Sequence, residues 1–343
     1  MTLGDRAVGR DNHFTLIRLL AATGVLVSHA FPLADGRDRP WREPLLELTG
    51  IPLGNHCVFV FFAISGFYVT RSFDQRRSVP EYVSARLLRL YPALAVNLGL
   101  TVLVLGLWVT TAPPGIYWDT AARFLETNLT FRFGAQMTLP GVFETAPWGP
   151  PVNNVLWSLY YEIVCYGAVL LVGMIGLFRT EGGLRIASLV AVALCLWGGE
   201  EMRLTWVGLP FAYGAALYAW RDRVPMWPLA VLALGGAAAL AQGTALYLPL
   251  LQATLAYGVL VAGLWPAPRL LPFNRLGDYS YGVYIYAWPL QQLSLTHLGA
   301  ETPGGVIAIA LPLALLCAVA SWHLVERPAL GLRRPARRKE RPA

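Results

Sequence analysis

Apolar runs of near-bilayer length recur from one end of this sequence to the other, separated by short loops in which arginine is the usual charge. A hydrocarbon core about 30 Å thick needs roughly 20 apolar residues per helix. Ten such runs can be read, at about 14–33, 56–73, 86–109, 153–174, 184–199, 203–221, 226–242, 246–265, 278–297 and 304–325. Lipid offers no partner for a free backbone N–H or C=O, so each run is expected as a continuous helix. Charge is correspondingly sparse, at 14% of the 343 residues, against about 25% in a soluble domain. A soluble enzyme, a disordered chain and a nucleic-acid-binding domain are excluded on that basis. The expected fold is all-α: a polytopic membrane protein of about ten transmembrane helices.

Orientation follows from where the cations fall. Of the 27 Lys and Arg residues, only Lys339 is a lysine. With a cytoplasmic N-terminus, 20 of the 27 lie on the inner side and Arg18 lies inside the first run. The outer side holds Arg37, Arg39, Arg42, Arg123, Arg132 and Arg203. Both chain ends are therefore expected in the cytoplasm. The N-terminus carries no apolar leader with a cleavage site, so the first helix is expected to act as its own anchor. The organisation is then a cytoplasmic segment 1–13, a transmembrane domain 14–326 and a basic cytoplasmic tail 327–343. The tail reads as an anchor for anionic lipid, with nucleic acid not expected as a partner. The longest outer segment, 110–152, is rich in Pro, Gly and aromatics and is expected to form an ordered lid. Cys57, Cys165, Cys195 and Cys317 lie in or beside apolar runs without metal-site spacing and read as small core residues.

Ionisable residues within the runs stand out, because charge near a bilayer centre is costly and by default marks function. The first run carries Arg18 and His29. Eleven residues turn a helix through ~1100°, about 20° from three full turns, so the two side chains share one face, roughly 16 Å apart along the axis. A histidine in a low-dielectric cleft is a natural general base for a hydroxyl nucleophile. A snorkelling arginine and an interfacial histidine are the plainer reading. Arg86 and Arg89, three apart at the inner end of the third run, can grip one polyanion such as a nucleotide phosphate, or can anchor lipid headgroups. Glu162 in the fourth run needs a cationic partner, and Arg18 is the best buried candidate. Glu326, at the end of the tenth run, competes for that arginine. Ser65-Gly66 reads as close helix packing, Asp278 and Ser280 as helix caps, and Tyr281 and Tyr284 as interfacial aromatics. No metal is implied, since no acidic or His/Cys cluster supplies ligands.

Taken in order, these features form a constellation: Asn12-x-Phe14-x-x-x-Arg18, the Arg18–His29 pair, Phe61-Phe62-x-Ile64-Ser65-Gly66, Arg86-x-x-Arg89-x-Tyr91-Pro92, Trp157-Ser158-Leu159-x-x-Glu162, Ser280-Tyr281-Gly282-x-Tyr284 and Glu326-x-Pro328. From Asn12 to Pro328 the chain thus resembles the membrane acyltransferase-3 family, also called the O-acyltransferase or glycan O-acetylase family. The resemblance implies transfer of an acyl group, often acetyl, from a cytoplasmic acyl-CoA donor to a hydroxyl. The implied acceptor is a cell-envelope or exported carbohydrate, and the implied location the cell inner membrane. It implies His29 as the catalytic histidine, Arg18 as its essential partner, and Arg86 and Arg89 at the donor entrance. Glu162 and Glu326, with Ser65 and Tyr281, would support the site. Two positions depart from the pattern: Thr15 stands where relatives often have Asp, and Ala287 where many carry His. From a different class, a transporter or exporter of an acylated glycan or a small anion fits the same ten spans, although no inverted halves are evident.

Overall fold

The computed structural model describes residues 1–7, 9, 11–37, 42–131, 135–199 and 202–332. Its long elements are helices: α1 (Phe14–Asp35), α2 (Leu53–Arg76), α3 (Val79–Val109), α4 (Pro114–Thr130), α5 (Leu156–Met174), α6 (Glu181–Gly198), α7 (Arg203–Ala219), α8 (Pro228–Leu240), α9 (Tyr247–Leu264), α10 (Ser280–His297) and α11 (Pro303–Gly331). Each predicted run coincides with one of them, and α4 lies in the predicted outer segment. Among the described residues no strand forms, and the β-type contacts are the two isolated bridges Thr2–Pro225 and Thr138–Pro151. Seven helices (α1, α2, α3, α5, α6, α9 and α11) are long and apolar enough to cross a membrane. Helices α7 and α8 are shorter, at 17 and 13 residues, and α10 is more polar. The chain is thus an all-α, multi-pass membrane protein. Asn12 and Leu330 line one cavity, so the two ends of the described bundle meet on one side. Arg10, Arg39 and Arg132, and the tail from residue 333 onward, lie outside the described residues.

The polar composition of α10 is explained by its place. It packs against α1 and α11, and 14 of its 18 residues are buried. Its polar side chains are buried among neighbouring helices and loops, where Tyr281 bonds Leu90 O, Gln291 bonds Leu26 O and Gln292 bonds Gly149 O. Pro289 interrupts the α10 backbone ladder and frees the carbonyl of Ile285, as a helix-interior proline must. Two amides repair the loss: Asn97 Nδ2 of α3 donates to Ile285 O at 3.2 Å, and Asn153 Nδ2 donates to it at 2.9 Å. Helix α6 shows the opposite regime. Only 11% of its apolar window is buried, and Leu194 and Trp197 are exposed. Lipid tails are as apolar as these side chains, so such exposure is tolerated in a bilayer.

Helices α2 and α7 approach backbone to backbone. A β-carbon on Gly66 would collide with the carbonyl of Phe211, and one on Gly214 with the carbonyl of Ala63. Gly66 therefore does serve close packing. The adjacent Ser65 turns the other way, into the protein interior.

The segment between α3 and α5 is ordered where described. Buried Tyr117, Ala121, Phe124 and Asn128 recur at helical spacing along α4 and seat it. Tyr117 also donates to Val102 O at 2.6 Å, within a π-type turn over Thr101–Gly106. Further on, Val142, Phe143 and Val152 are buried. Trp288 Nε1 and Gln292 Nε2 of α10 donate to Pro151 O at 2.9 and 3.2 Å.

Gly66→Val is expected to cost about 1–3 kcal/mol or more by overpacking the α2–α7 crossing. Gly167 of α5 has no heavy atom within 4 Å of the same construction, so Gly167→Val serves as the control. Thermal unfolding of the two variants in detergent should separate them clearly, and equal midpoints would contradict this account of the crossing.

Candidate active site

A cavity of about 390 Å³ opens among α1, α2, α3, α5 and α10. Arg18, Arg86 and Arg89 line it, with Ser65, Glu162, Tyr166, Tyr281 and Tyr284. Six of the eight site residues expected from the sequence, Arg18, Ser65, Arg86, Arg89, Glu162 and Tyr281, therefore share one space; Tyr166 carries no such expectation, and Tyr284 is expected only as an interfacial aromatic. Glu326 reaches Arg89 from α11, and His29 is not among the described lining residues.

The charges pair differently from the expectation. Arg18 meets neither Glu162 nor Glu326. Its Nη2 lies 3.0 Å from Asp278 Oδ2, in the turn ahead of α10. Arg89 Nη2 reaches the same oxygen at 2.8 Å, and Arg89 Nη1 reaches Glu326 Oε2 at 3.2 Å. Two serines complete the carboxylates: Ser280 Oγ donates to Asp278 Oδ1 at 2.6 Å, and Ser321 Oγ to Glu326 Oε1 at 2.9 Å. Asp278 and Ser280 thus serve this network, and α10 has no side-chain N-cap. Glu326 is aimed inward by a π-type turn over Trp322–Glu326 that shifts the register of α11. Asp278 was passed over because its position before a helix also suits a cap. Burial decides between the two roles, and a single chain does not display it.

Arg86 is placed differently. Its guanidinium lies over the rings of Tyr166 and Tyr82, at 5.5 and 6.0 Å from their centroids. Among the described residues it has no carboxylate within 4 Å, and its buried Nε has no hydrogen-bond partner. Arg86 and Arg89 therefore do not act alike: Arg89 is neutralised, and Arg86 keeps its charge for the cavity. Glu162 accepts from Ser65 Oγ at 3.1 Å, and Tyr166, one turn along α5, donates to the same oxygen. The spacing of Glu162 and Tyr166 is the signal that would have found this contact. Tyr281 and Tyr284, expected at the interface, are buried in the core. Tyr281 donates to Leu90 O at 3.1 Å beneath the Arg89 guanidinium, and Tyr284 bonds Ser158 Oγ at 2.6 Å.

His29 shares the α10-facing side of α1 with Arg18. Its ring meets Trp288 edge-on, centroids 4.9 Å apart at 79°. A β-carbon on Gly54 of α2 would lie 3.1 Å from Ser28 Oγ and 3.9 Å from His29 Nε2, so α2 passes close to this turn of α1. Among the described residues, buried His29 Nδ1 has no hydrogen-bond partner. An imidazole nitrogen in that state can take a proton from a hydroxyl or bond to an acyl carbon. Trp288 is pinned by Pro151 O, and Gln291 Nε2 ties the same stretch of α10 to Leu26 O of α1 at 2.7 Å. Ala287 is fully buried against Leu26 and Ala314. Its neighbours fill the space, so a second histidine has no room at that position.

Breaking a buried ion pair from one side leaves a stranded charge and costs about 3–5 kcal/mol. Asp278→Ala should lower stability by that order, because it strands Arg18 and leaves Arg89 with Glu326 alone. Arg18→Leu combined with Asp278→Leu should recover part of the loss. Unfolding of the single and double variants in detergent measures the coupling, and additive losses would show that the pair is not an energetic unit.

The acyltransferase-3 family, described as an acyltransferase domain, matches residues 11–323. An O-acetyl transferase of Shigella phage Sf6 is 27% identical over 348 aligned positions, which cover 93% of this chain and 96% of that protein. Nodulation protein 10 of Rhizobium leguminosarum bv. viciae is 26% identical, and the match covers 96% of each chain. No solved structure matches significantly. The family match spans every helix that builds the cavity, from the residues before α1 into α11, and the chain belongs to the acyltransferase-3 family of membrane acyltransferases.

Proposed function

We propose that the protein is an O-acyltransferase of the cell inner membrane that moves an acyl group, acetyl by preference, from acyl-CoA to a hydroxyl of a cell-envelope or exported carbohydrate. One observation carries the reading. A cavity with an unneutralised arginine, Arg86, runs beside the helix whose far turn holds an imidazole with an unpartnered nitrogen. The relative named an O-acetyl transferase supports a hydroxyl acceptor and an acetyl group. The arginine-rich inner loops support a cytoplasmic mouth for the cavity.

In this reading the nucleotide phosphates of the donor meet Arg86 and the partly exposed Arg18, through charge-assisted hydrogen bonds. Arg89 does not bind donor; it holds Asp278 and Glu326 and so fixes the wall. The thioester arm extends along α1 toward His29. As the acceptor oxygen attacks the thioester carbonyl carbon, His29 takes the hydroxyl proton. The C–S bond breaks, and the leaving thiolate recovers that proton from the imidazolium, giving an ester and free CoA thiol. Glu162, with Ser65 and Tyr166, presents polar groups at mid-depth in an otherwise aromatic passage.

Proteoliposomes supplied with radiolabelled acetyl-CoA and envelope carbohydrate should yield labelled carbohydrate. His29→Ala should lower the rate by about 10²–10⁴-fold, the usual worth of a general base, while the protein stays monodisperse. Unchanged labelling in that variant would remove His29 from the chemistry.

Arg86→Ala should raise KM for acetyl-CoA by about 10- to 100-fold, the value of a hydrogen bond to a charged group. KM for acetyl-pantetheine, which lacks the nucleotide phosphates, should not change. An equal rise for both donors would show that Arg86 does not read the phosphates.

A further inference from the structure

The cavity stops short of the histidine. Its wall includes Phe61, Ser158 and Tyr284, and His29 is not among its described lining residues. The residues that touch His29 lie just beyond. Trp288 follows Tyr284 by four positions on α10, and Gly54 precedes Val58 of the cavity wall by four on α2. Four residues are about one helical turn, roughly 5–6 Å. Along both α10 and α2 the cavity wall therefore ends about one helical turn short of the residues beside the imidazole.

Tyr284 is the α10 residue of the cavity wall nearest to Trp288, and it is buried in the core. Ser158 Oγ and the phenol oxygen of Tyr284 lie 2.6 Å apart, in a hydrogen bond that either hydroxyl can donate, and Ser158 Oγ also lies 3.1 Å from Val155 O. The ring meets Phe61 edge-on with centroids 5.8 Å apart. The Ser158 hydrogen bond and the Phe61 ring contact are two of the interactions that hold the side chain where it is.

We infer that Tyr284 is the barrier between the cavity and His29, and that its ring limits the size of the acyl group that reaches the imidazole. The inference rests on the proposed use of His29. It adds a specificity-determining residue: a small acyl group passes when the Tyr284–Ser158 bond opens, and a longer chain is held back on the arginine side. At rest the closed latch also keeps the thioester apart from the acceptor's water.

Thiol accessibility tests the barrier without requiring turnover. In a background with Cys57, Cys165, Cys195 and Cys317 replaced by Ser, His29→Cys supplies a single thiol in sealed vesicles. A Leu330→Cys variant reports which vesicle face carries the cavity mouth. A charged, membrane-impermeant thiosulfonate added on that face should label the His29→Cys thiol slowly. Adding Ser158→Ala or Tyr284→Phe, each of which removes only the hydrogen bond, should speed labelling by about 5–10-fold. Tyr284→Ala, which removes the ring, should speed it further. An unchanged rate in Tyr284→Ala, or fast labelling with Tyr284 intact, overturns the barrier. In the native-cysteine protein, Tyr284→Ala should raise the ratio of hexanoyl to acetyl transfer at least tenfold. A constant ratio alongside faster labelling overturns the size limit. If wild type transfers no acyl group from CoA at all, the proposed function fails while the labelling result still judges the barrier.

Discussion

The ionic knot of Arg18, Asp278, Arg89 and Glu326 ties four parts of the chain together: α1, α3, the turn ahead of α10 and the π-type turn of α11. In a bilayer an unpaired charge is far costlier than at a water-exposed surface, so these helices are constrained to meet with their cations and carboxylates in register. Two cations face two carboxylates, and a serine hydroxyl satisfies a further oxygen on each acid. The knot is part of the cavity wall as well as a brace. Because it consumes Arg89, the third arginine of the cavity, Arg86, is left with aromatic faces in place of a counter-ion. That difference between two arginines three residues apart gives the cavity a directed positive group.

A second constraint is backbone satisfaction in α10. Pro289 would leave a carbonyl stranded in apolar surroundings, and Asn97 and Asn153 both answer it. The repair joins α3 and the segment before α5 to α10, one turn from Trp288. Trp288 in turn is held by Pro151 O and faces His29. The imidazole therefore owes its setting to packing and hydrogen bonds rather than to a charged neighbour. The arginines and the imidazole thus lie toward opposite ends of α1, each set by a different kind of interaction.

Much of this arrangement was legible in the chain. Hydropathy marked a helix at every predicted run, and the eleven-residue interval placed Arg18 and His29 on one side of α1, where both meet α10 or the turn before it. Residue types that are costly in lipid led to Glu162, Arg86, Arg89 and Glu326, and the family resemblance to Ser65; all reach the cavity or its walls. Less visible were residues with an innocent local explanation. Asp278 resembles a cap, Tyr281 and Tyr284 resemble interface anchors, and Tyr166 and Trp288 resemble ordinary membrane aromatics. Each acquires its role from a partner more than 100 positions away, or from burial.

Periodicity, charge asymmetry and the order of short motifs are properties of neighbouring residues, and they were enough for an all-α membrane bundle, its family and a shortlist of polar side chains. Which carboxylate neutralises which arginine emerged only when the helices met. Asp278, Glu162 and Glu326 are interchangeable as acids in a string of letters, and their pairing depends on depth and direction across separate helices. The same holds for the closed turn between the cavity and His29: a tyrosine becomes a barrier only because α2 and α5 bring Phe61 and Ser158 against it.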